Sequence, residues 1–383
     1  FFSSRRRHTR FRNVTGVQTC ALPICRPVHA ARPDSQPPSG ADLSMKAIRM
    51  SQPGGPEVLQ VVDLDTPEPG NGQVLVRNQA IGIGMPDIMV RRGIYPWMPQ
   101  LPAIPGIESA GCIEQVGAGV TQWSAGQAVY INARDLPERA GGYAEFQVVP
   151  AHALQALPPG TDPSLAAAIG NYQVAESLLR AAGALPPGAV VAIIGAAGGV
   201  GTALLELSLL RGLRVVAVAG TDEKCQWLAD RGAHATINHT TGPVGAAIAR
   251  ACDSDGASAI FDPVGGATLP SLFEALAPLG TVVSYGGLGG PRDPSTVAAM
   301  MKRFGDSPAL RLFSMHTWDK QPEVRREISA RVIGLLGQGL IRPAIHARLP
   351  LNQAREAHVL FESARHIGKI VLIPALTGPD TVS

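Results

Sequence analysis

The sequence predicts an α/β fold, in which a mostly antiparallel β domain is followed by a doubly wound parallel sheet. Three observations carry this. Residues 45–167 read as short strands punctuated by Gly and Pro. From about residue 168, strands alternate with helices. And the continuous apolar run Ala189–Ile194 leads straight into a glycine-rich turn.

The elements follow in chain order. Met45-Lys46-Ala47-Ile48 enters a first strand. Val74-Leu75-Val76 is a strand, and Ala128-Val129-Tyr130-Ile131 is another, with turns at Gly117-Ala118-Gly119 and Pro158-Pro159-Gly160. After the strand Ala189–Ile194 and its glycine turn comes a helix to about Arg211. A strand (Arg214–Ala219), a helix (Asp222–Arg231) and two further strands (Ala257–Phe261 and Thr281–Tyr285) continue the alternation. A return segment closes the chain, with helices at Glu323–Leu336 and Gln353–Ser363 and a strand at Lys369–Leu372. The expected units are 45–167 (β domain), 168–310 (parallel-sheet domain) and 311–376 (return to the first domain). They are flanked by a leader at 1–44 and a tail at 377–383.

The leader carries the charge that makes the whole chain basic. Residues 1–44 hold seven Arg, no Lys and two Asp, a balance of +5, so the net +3 of the chain leaves −2 for the rest. The basic excess therefore does not argue for nucleic acid or an anionic membrane. The leader shows no helical or strand period. It reads either as an Arg-rich transit peptide or, the preferred reading, as a translated sequencing-adapter artefact spanning Phe1–Cys25, with the natural start at Met45. Five cysteines in 383 residues exclude a disulfide scaffold and suit a reducing, cytoplasmic setting. Ala181–Leu205 has no charged residue, but Pro186-Pro187 and six glycines argue against a membrane span.

Gly195-Ala196-Ala197-Gly198-Gly199-Val200-Gly201 sits between a strand and a helix. Glycines there tighten the turn and let backbone amides at the helix N-terminus approach a pyrophosphate. This is a dinucleotide signature in its expected context. The next strand ends at Gly220 instead of the acid that holds a ribose 2′-hydroxyl, and Lys224 follows in Thr221-Asp222-Glu223-Lys224. Lys224 suits a 2′-phosphate, which favours NADPH. Asp222 could still be the ribose acid; the other reading of Asp222 and Glu223 is as charges favoured by the helix dipole.

The chain resembles the zinc-independent branch of the medium-chain dehydrogenase/reductase superfamily, in particular the quinone oxidoreductase (zeta-crystallin-like) family. The resemblance rests on Asp87–Tyr95, Pro105-Gly106-Ile107-Glu108, the glycine turn, Ala219–Lys224, Asp262-Pro263-Val264-Gly265-Gly266 and Gly368–Leu372, in family order. It implies a GroES-like catalytic domain, a Rossmann domain, NADPH, a homodimer, and reduction of a quinone or an α,β-unsaturated carbonyl. Gly280–Gly287 and Ser314–Trp318 also resemble enoyl thioester reductases, where the tyrosine matching Tyr95 is the proton donor. The implied cofactor contacts are Gly195, Ala197, Gly198, Gly199, Val200, Gly201, Gly220, Thr221, Lys224, His239, Val264 and Gly286. Asn171, Tyr172, His316 and Trp318 are the substrate-cleft candidates.

The chain departs from the zinc-dependent relatives where Gly84-Met85 and Ile107 stand at ligand positions. Glu108 alone cannot make a three-ligand site, so no metal is expected. It departs from the quinone reductases at Gly84, Met89 and His239, where Asn, Tyr and Tyr are common. Tyr95 either delivers a proton to the carbanion left by hydride addition or packs against the cleft wall. Cys112 and Cys225 read as small apolar fillers. The expected partner is a small-molecule substrate, through a quinone or enone reductase, an enoyl thioester reductase, or a non-catalytic NADPH-binding protein.

Overall fold

The computed structural model describes residues 44–252 and 255–374. The expected leader, apart from Ser44, and the expected tail lie outside the described residues. Ser44, assigned above to the leader, is the first residue of β1.

The first domain is β-rich because its segments alternate buried and exposed residues between tight turns. β1 (Ser44–Arg49) and β2 (Gln60–Asp65) pair antiparallel. β3 (Gln73–Ile83) then pairs antiparallel with β4 (Glu108–Val116), and β4 with β5 (Ala128–Asn132). The short helix α1 (Met85–Arg91) lies between β3 and β4. β6 (Phe146–Pro150) pairs with β3, and β7 (Leu154–Ala156) with β5. α2 (Pro163–Ala166) and α3 (Ile169–Ala181) carry the chain into the second domain.

There the strands alternate with helices, as expected. β8 (Val190–Ile194) is buried along its whole length, because helices cover both faces of a parallel sheet. α4 (Gly199–Leu210), β9 (Arg214–Ala219), α5 (Asp222–Ala229), β10 (Ala235–Asn238) and α6 (Val244–Ala251) follow. The second half contains β11 (Ala257–Asp262), α7 (Leu269–Leu272), β12 (Leu276–Ser284), α8 (Thr296–Lys302) and β13 (Ala309–Leu312). The strand order is β10-β9-β8-β11-β12-β13, all parallel. The order reverses between β8 and β11, and such a switch point opens a crevice at the strands' carboxyl ends.

The chain then returns. α9 (Pro322–Gly337) packs on α3, and β14 (Ile345–Pro350) leads to α10 (Ala354–Glu362) and β15 (Lys369–Ile373). β15 pairs with β3, so the last strands complete the first domain's sheet, in the order β14-β15-β3-β4-β5-β7. Its entry also touches the second domain: Gly368 N–H donates to the Ala197 carbonyl at 2.9 Å. No helix among the described residues is long and apolar enough to cross a membrane.

Candidate active site

The glycine turn stands at the switch point. Gly195 leaves β8 at φ +67°, a conformation that favours glycine. A Cβ on Gly201 would fall 2.3 Å from the Gly195 oxygen, so only glycine lets α4 start this close to the strand. Gly198 caps α4 in an extended conformation without a side-chain cap. The first-turn amides of Gly199, Val200 and Gly201 have no earlier carbonyl in the helix, which suits them to an anion. Ala197 is buried behind them. Asn171, on α3, packs against the turn, its Nδ2 2.3 Å from where a Cβ at Gly199 would stand.

The end of β9 forms the next wall. The exposed His239 imidazole lies against Gly220, with Nε2 3.0 Å from a Cβ placed there. Thr221 caps α5 by accepting the Lys224 N–H at 3.3 Å. The Asp222 carboxylate accepts from Asn238 Nδ2 at 2.7 Å, so it is engaged with β10. The Lys224 ammonium donates to the Ala364 carbonyl at 2.6 Å, and partial burial lowers its pKa. Across the switch point, Val264 and Gly286 follow the ends of β11 and β12. Buried Asp262 accepts the Val264 and Gly265 amides at 2.9–3.1 Å, and burial raises its carboxyl pKa against those bonds.

Three loops form a second cluster. Tyr95, 8% exposed, follows α1 and packs with Met50, Val90 and Met89. Its ring centroid is 5.7 Å from that of Trp97, and Trp97 stacks on His316 at 3.5 Å. The Arg139 guanidinium lies 4.8 Å over the Trp97 ring. It donates to Asp319 at 2.9 Å, contacts His316 Nδ1 at 3.0 Å and interacts electrostatically with Tyr95. Arg134 reaches the same Asp319 at 2.5 Å and the Met315 carbonyl at 2.7 Å. Burial opposes the Asp319 charge, but the bonds from Arg139, His316 and Arg134 outweigh it and hold the carboxyl well below its usual range. Burial, aided by both guanidinium groups, lowers the His316 pKa and favours the neutral ring.

Of the predicted cleft residues, His316 joins Tyr95 through Trp97. Trp318 is half-buried against Phe313, at 6.3 Å, with its indole N–H buried and, among the described residues, without a hydrogen-bond partner. Tyr172 is different. It is 2% exposed, and its hydroxyl donates to Glu206 on α4 at 2.5 Å. Its side chain belongs to the packed α3–α4 contact. Trp97, Arg134, Arg139 and Asp319 were not found by sequence reasoning. Nothing in a single sequence pairs Arg134 and Arg139 with an aspartate about 180 residues on.

The positions where zinc-dependent relatives carry ligands hold another arrangement. Glu108 is buried, ion-paired with Lys369, and accepts from the Tyr130 hydroxyl at 3.3 Å and the Gly170 N–H at 3.1 Å. Asp87 accepts the Gly84 and Ile107 amides at 2.8 and 3.1 Å, and burial pushes its carboxyl up to about 7. Among the described residues no three His, Cys, Asp or Glu side chains are grouped to hold a metal ion.

Residues 70–159 match the alcohol dehydrogenase GroES-like domain family, and residues 231–372 match the zinc-binding dehydrogenase family. The chain is 31% identical over 330 residues to a quinone oxidoreductase from Pseudomonas aeruginosa, covering 86% of this chain and 99% of that protein. It is 29% identical over 326 residues to a 2-haloacrylate reductase from Burkholderia sp., covering 84% and 96%. Among solved structures, Escherichia coli quinone oxidoreductase complexed with NADPH superposes with a TM-score of 0.77 at 27% identity, covering 86% of this chain and all of that one.

Proposed function

The chain belongs to the quinone oxidoreductase family of the medium-chain dehydrogenase/reductase superfamily, and from that membership we propose an NADPH-dependent reductase of quinones or α,β-unsaturated carbonyl compounds. The observation that carries it is the glycine turn at the switch point, where α4 offers its first-turn amides to a pyrophosphate. Gly220, Thr221, Lys224 and His239 border the adenosine end, and Val264 and Gly286 the other. When bound, NADPH supplies a hydride to an electron-poor carbon of the acceptor.

The chain's own residues serve the acceptor. Trp97, stacked on His316, offers a flat surface for a conjugated substrate. Hydride addition to an enone leaves an enolate whose α-carbon needs a proton, and Tyr95 supplies it. The Arg139 guanidinium, which interacts electrostatically with Tyr95, stabilises the phenolate left behind. A quinone needs less, because solvent protonates its oxygens. The buried Tyr95, with the Arg139 charge acting on it, and the 29% identity to a 2-haloacrylate reductase favour an activated alkene as the second substrate class.

The reductase works without zinc. Gly84, Met85 and Ile107 offer no ligand side chain there, and the Glu108 charge is already met by Lys369. The active form is a homodimer. β13 is an open sheet edge, and Val297, Met301, Phe304 and Leu312 are large exposed apolar residues on α8, β13 and the loop between them.

Steady-state NADPH oxidation with a panel of quinones, enones and enoyl thioesters, run with and without a chelator, tests the reading. Chelator-resistant turnover of at least one class is expected. Binding of NADPH with no turnover of any acceptor would leave a non-catalytic binding protein instead.

A further inference from the structure

A cavity of about 530 Å³ lies between α5, the residues that open α2, and β14 with the segment before it. It shares no residue with the cleft described above. The volume is within the range of small-molecule sites. Its wall carries three arginines, Arg231, Arg342 and Arg348, and a single carboxylate, Asp162, so two positive charges are in excess.

Arg348 is the arginine that meets Asp162, at 3.5 Å, and it also donates to Ser164 Oγ at 3.0 Å. Among the described residues no carboxylate lies within ion-pair distance of the Arg231 or Arg342 guanidinium, and Glu206 accepts the Arg342 backbone N–H at 2.9 Å. The Arg231 guanidinium lies 3.5 Å over the Trp227 ring, which holds it as part of a flat wall. His346 lines the same cavity. Its Nδ1 accepts the Ile367 N–H at 3.3 Å, which leaves Nε2 as the donor of the neutral ring.

Like charges gathered on one concave surface repel one another and focus positive potential there. Guanidinium groups match phosphate and carboxylate oxygens in paired hydrogen bonds. We propose that this cavity is a second binding site, for a small polyanion with at least two negative charges carried on phosphate or carboxylate groups. Arg231 follows α5, while Arg342 and Arg348 belong to the return segment, so the bound anion bridges the two.

Calorimetric titration of the full chain with pyrophosphate, and separately with citrate, at constant ionic strength tests this. The wild type binds one such anion per chain at the cavity, and the stronger of the two probes tells phosphate from carboxylate recognition. Arg231→Ala with Arg342→Ala should weaken that binding at least about tenfold. Both side chains are exposed, so the melting temperature should stay put; Arg342→Glu gives an independent variant if it does not. Pyrophosphate can also enter the glycine turn. Binding that is equal in wild type and variants would assign the probe there and overturn the proposal, as would no saturable binding of either anion.

Discussion

Glu108 and Lys369 form an ion pair in which the side chains are only 3% and 4% exposed. The pair ties β4 to β15, elements 261 residues apart in sequence, and Gly170 at the start of α3 donates to the same carboxylate. It therefore joins the first domain, the return segment and the helix that bears Asn171. Desolvating two charges costs several kcal/mol, and breaking such a pair leaves one charge buried without its partner. Lys369→Met should lower unfolding free energy by about 3–5 kcal/mol, read from urea denaturation. Glu108→Gln combined with Lys369→Met should cost clearly less. A single variant as stable as wild type would mean that the pair contributes nothing net.

Asp87 gives a pH dependence of definite sign. Burial pushes its carboxyl up to about 7 from an ordinary value of 3.8. Between those values the folded chain keeps a proton that the unfolded chain has released, so this group's contribution falls as pH rises. His358 and His366 act the other way: burial, first, and neighbouring cations lower them to about 3 and about 4, so their contributions are lost as pH falls below about 6.5. Asp87→Asn removes only the first effect. Going from pH 4.5 to pH 7.5, the variant should gain stability relative to wild type in urea titrations. Parallel profiles would show that Asp87 titrates normally.

The strands of the parallel sheet and the glycine turn were legible because both faces of β8 and β9 are buried, which leaves an unbroken apolar run in the sequence. The sequence pattern starts this strand at Thr281, yet β12 begins at Leu276. Pro278 and Gly280 look like breakers there, and Leu279 takes φ +60° where the β11 register shifts. β13 was missed because an exposed four-residue edge has no pattern to read. The Tyr95–Arg139–Asp319 cluster was only half visible. Tyr95 came from a motif, whereas its partners come from two distant loops that only the folded chain brings together.

Lys224 is the proposed reader of the cofactor's 2′-phosphate. Its ammonium stands between α5 and the return segment, on the Ala364 carbonyl. If it also reads a 2′-phosphate, Lys224→Ala should weaken NADPH about ten- to a hundredfold and NADH little, as loss of one charge-assisted contact implies. If it serves only to hold residue 364, both cofactors weaken alike. Fluorescence titrations with both cofactors on this one variant separate the outcomes.

Tyr95 separates the substrate classes. Its ring is buried with Met50 and Val90, so Tyr95→Phe keeps the packing and removes only the hydroxyl. A positioned donor contributes about 10²–10⁴-fold when carbon must be protonated. On an enone or enoyl thioester, kcat should therefore fall at least about tenfold while NADPH affinity barely changes. On a quinone the variant should stay within about threefold of wild type, because water protonates oxygen without help. Arg139→Gln should follow the same split, more weakly, if its guanidinium stabilises the phenolate. An unchanged kcat on every alkene that the wild type reduces would make Tyr95 a wall residue and leave proton delivery to solvent.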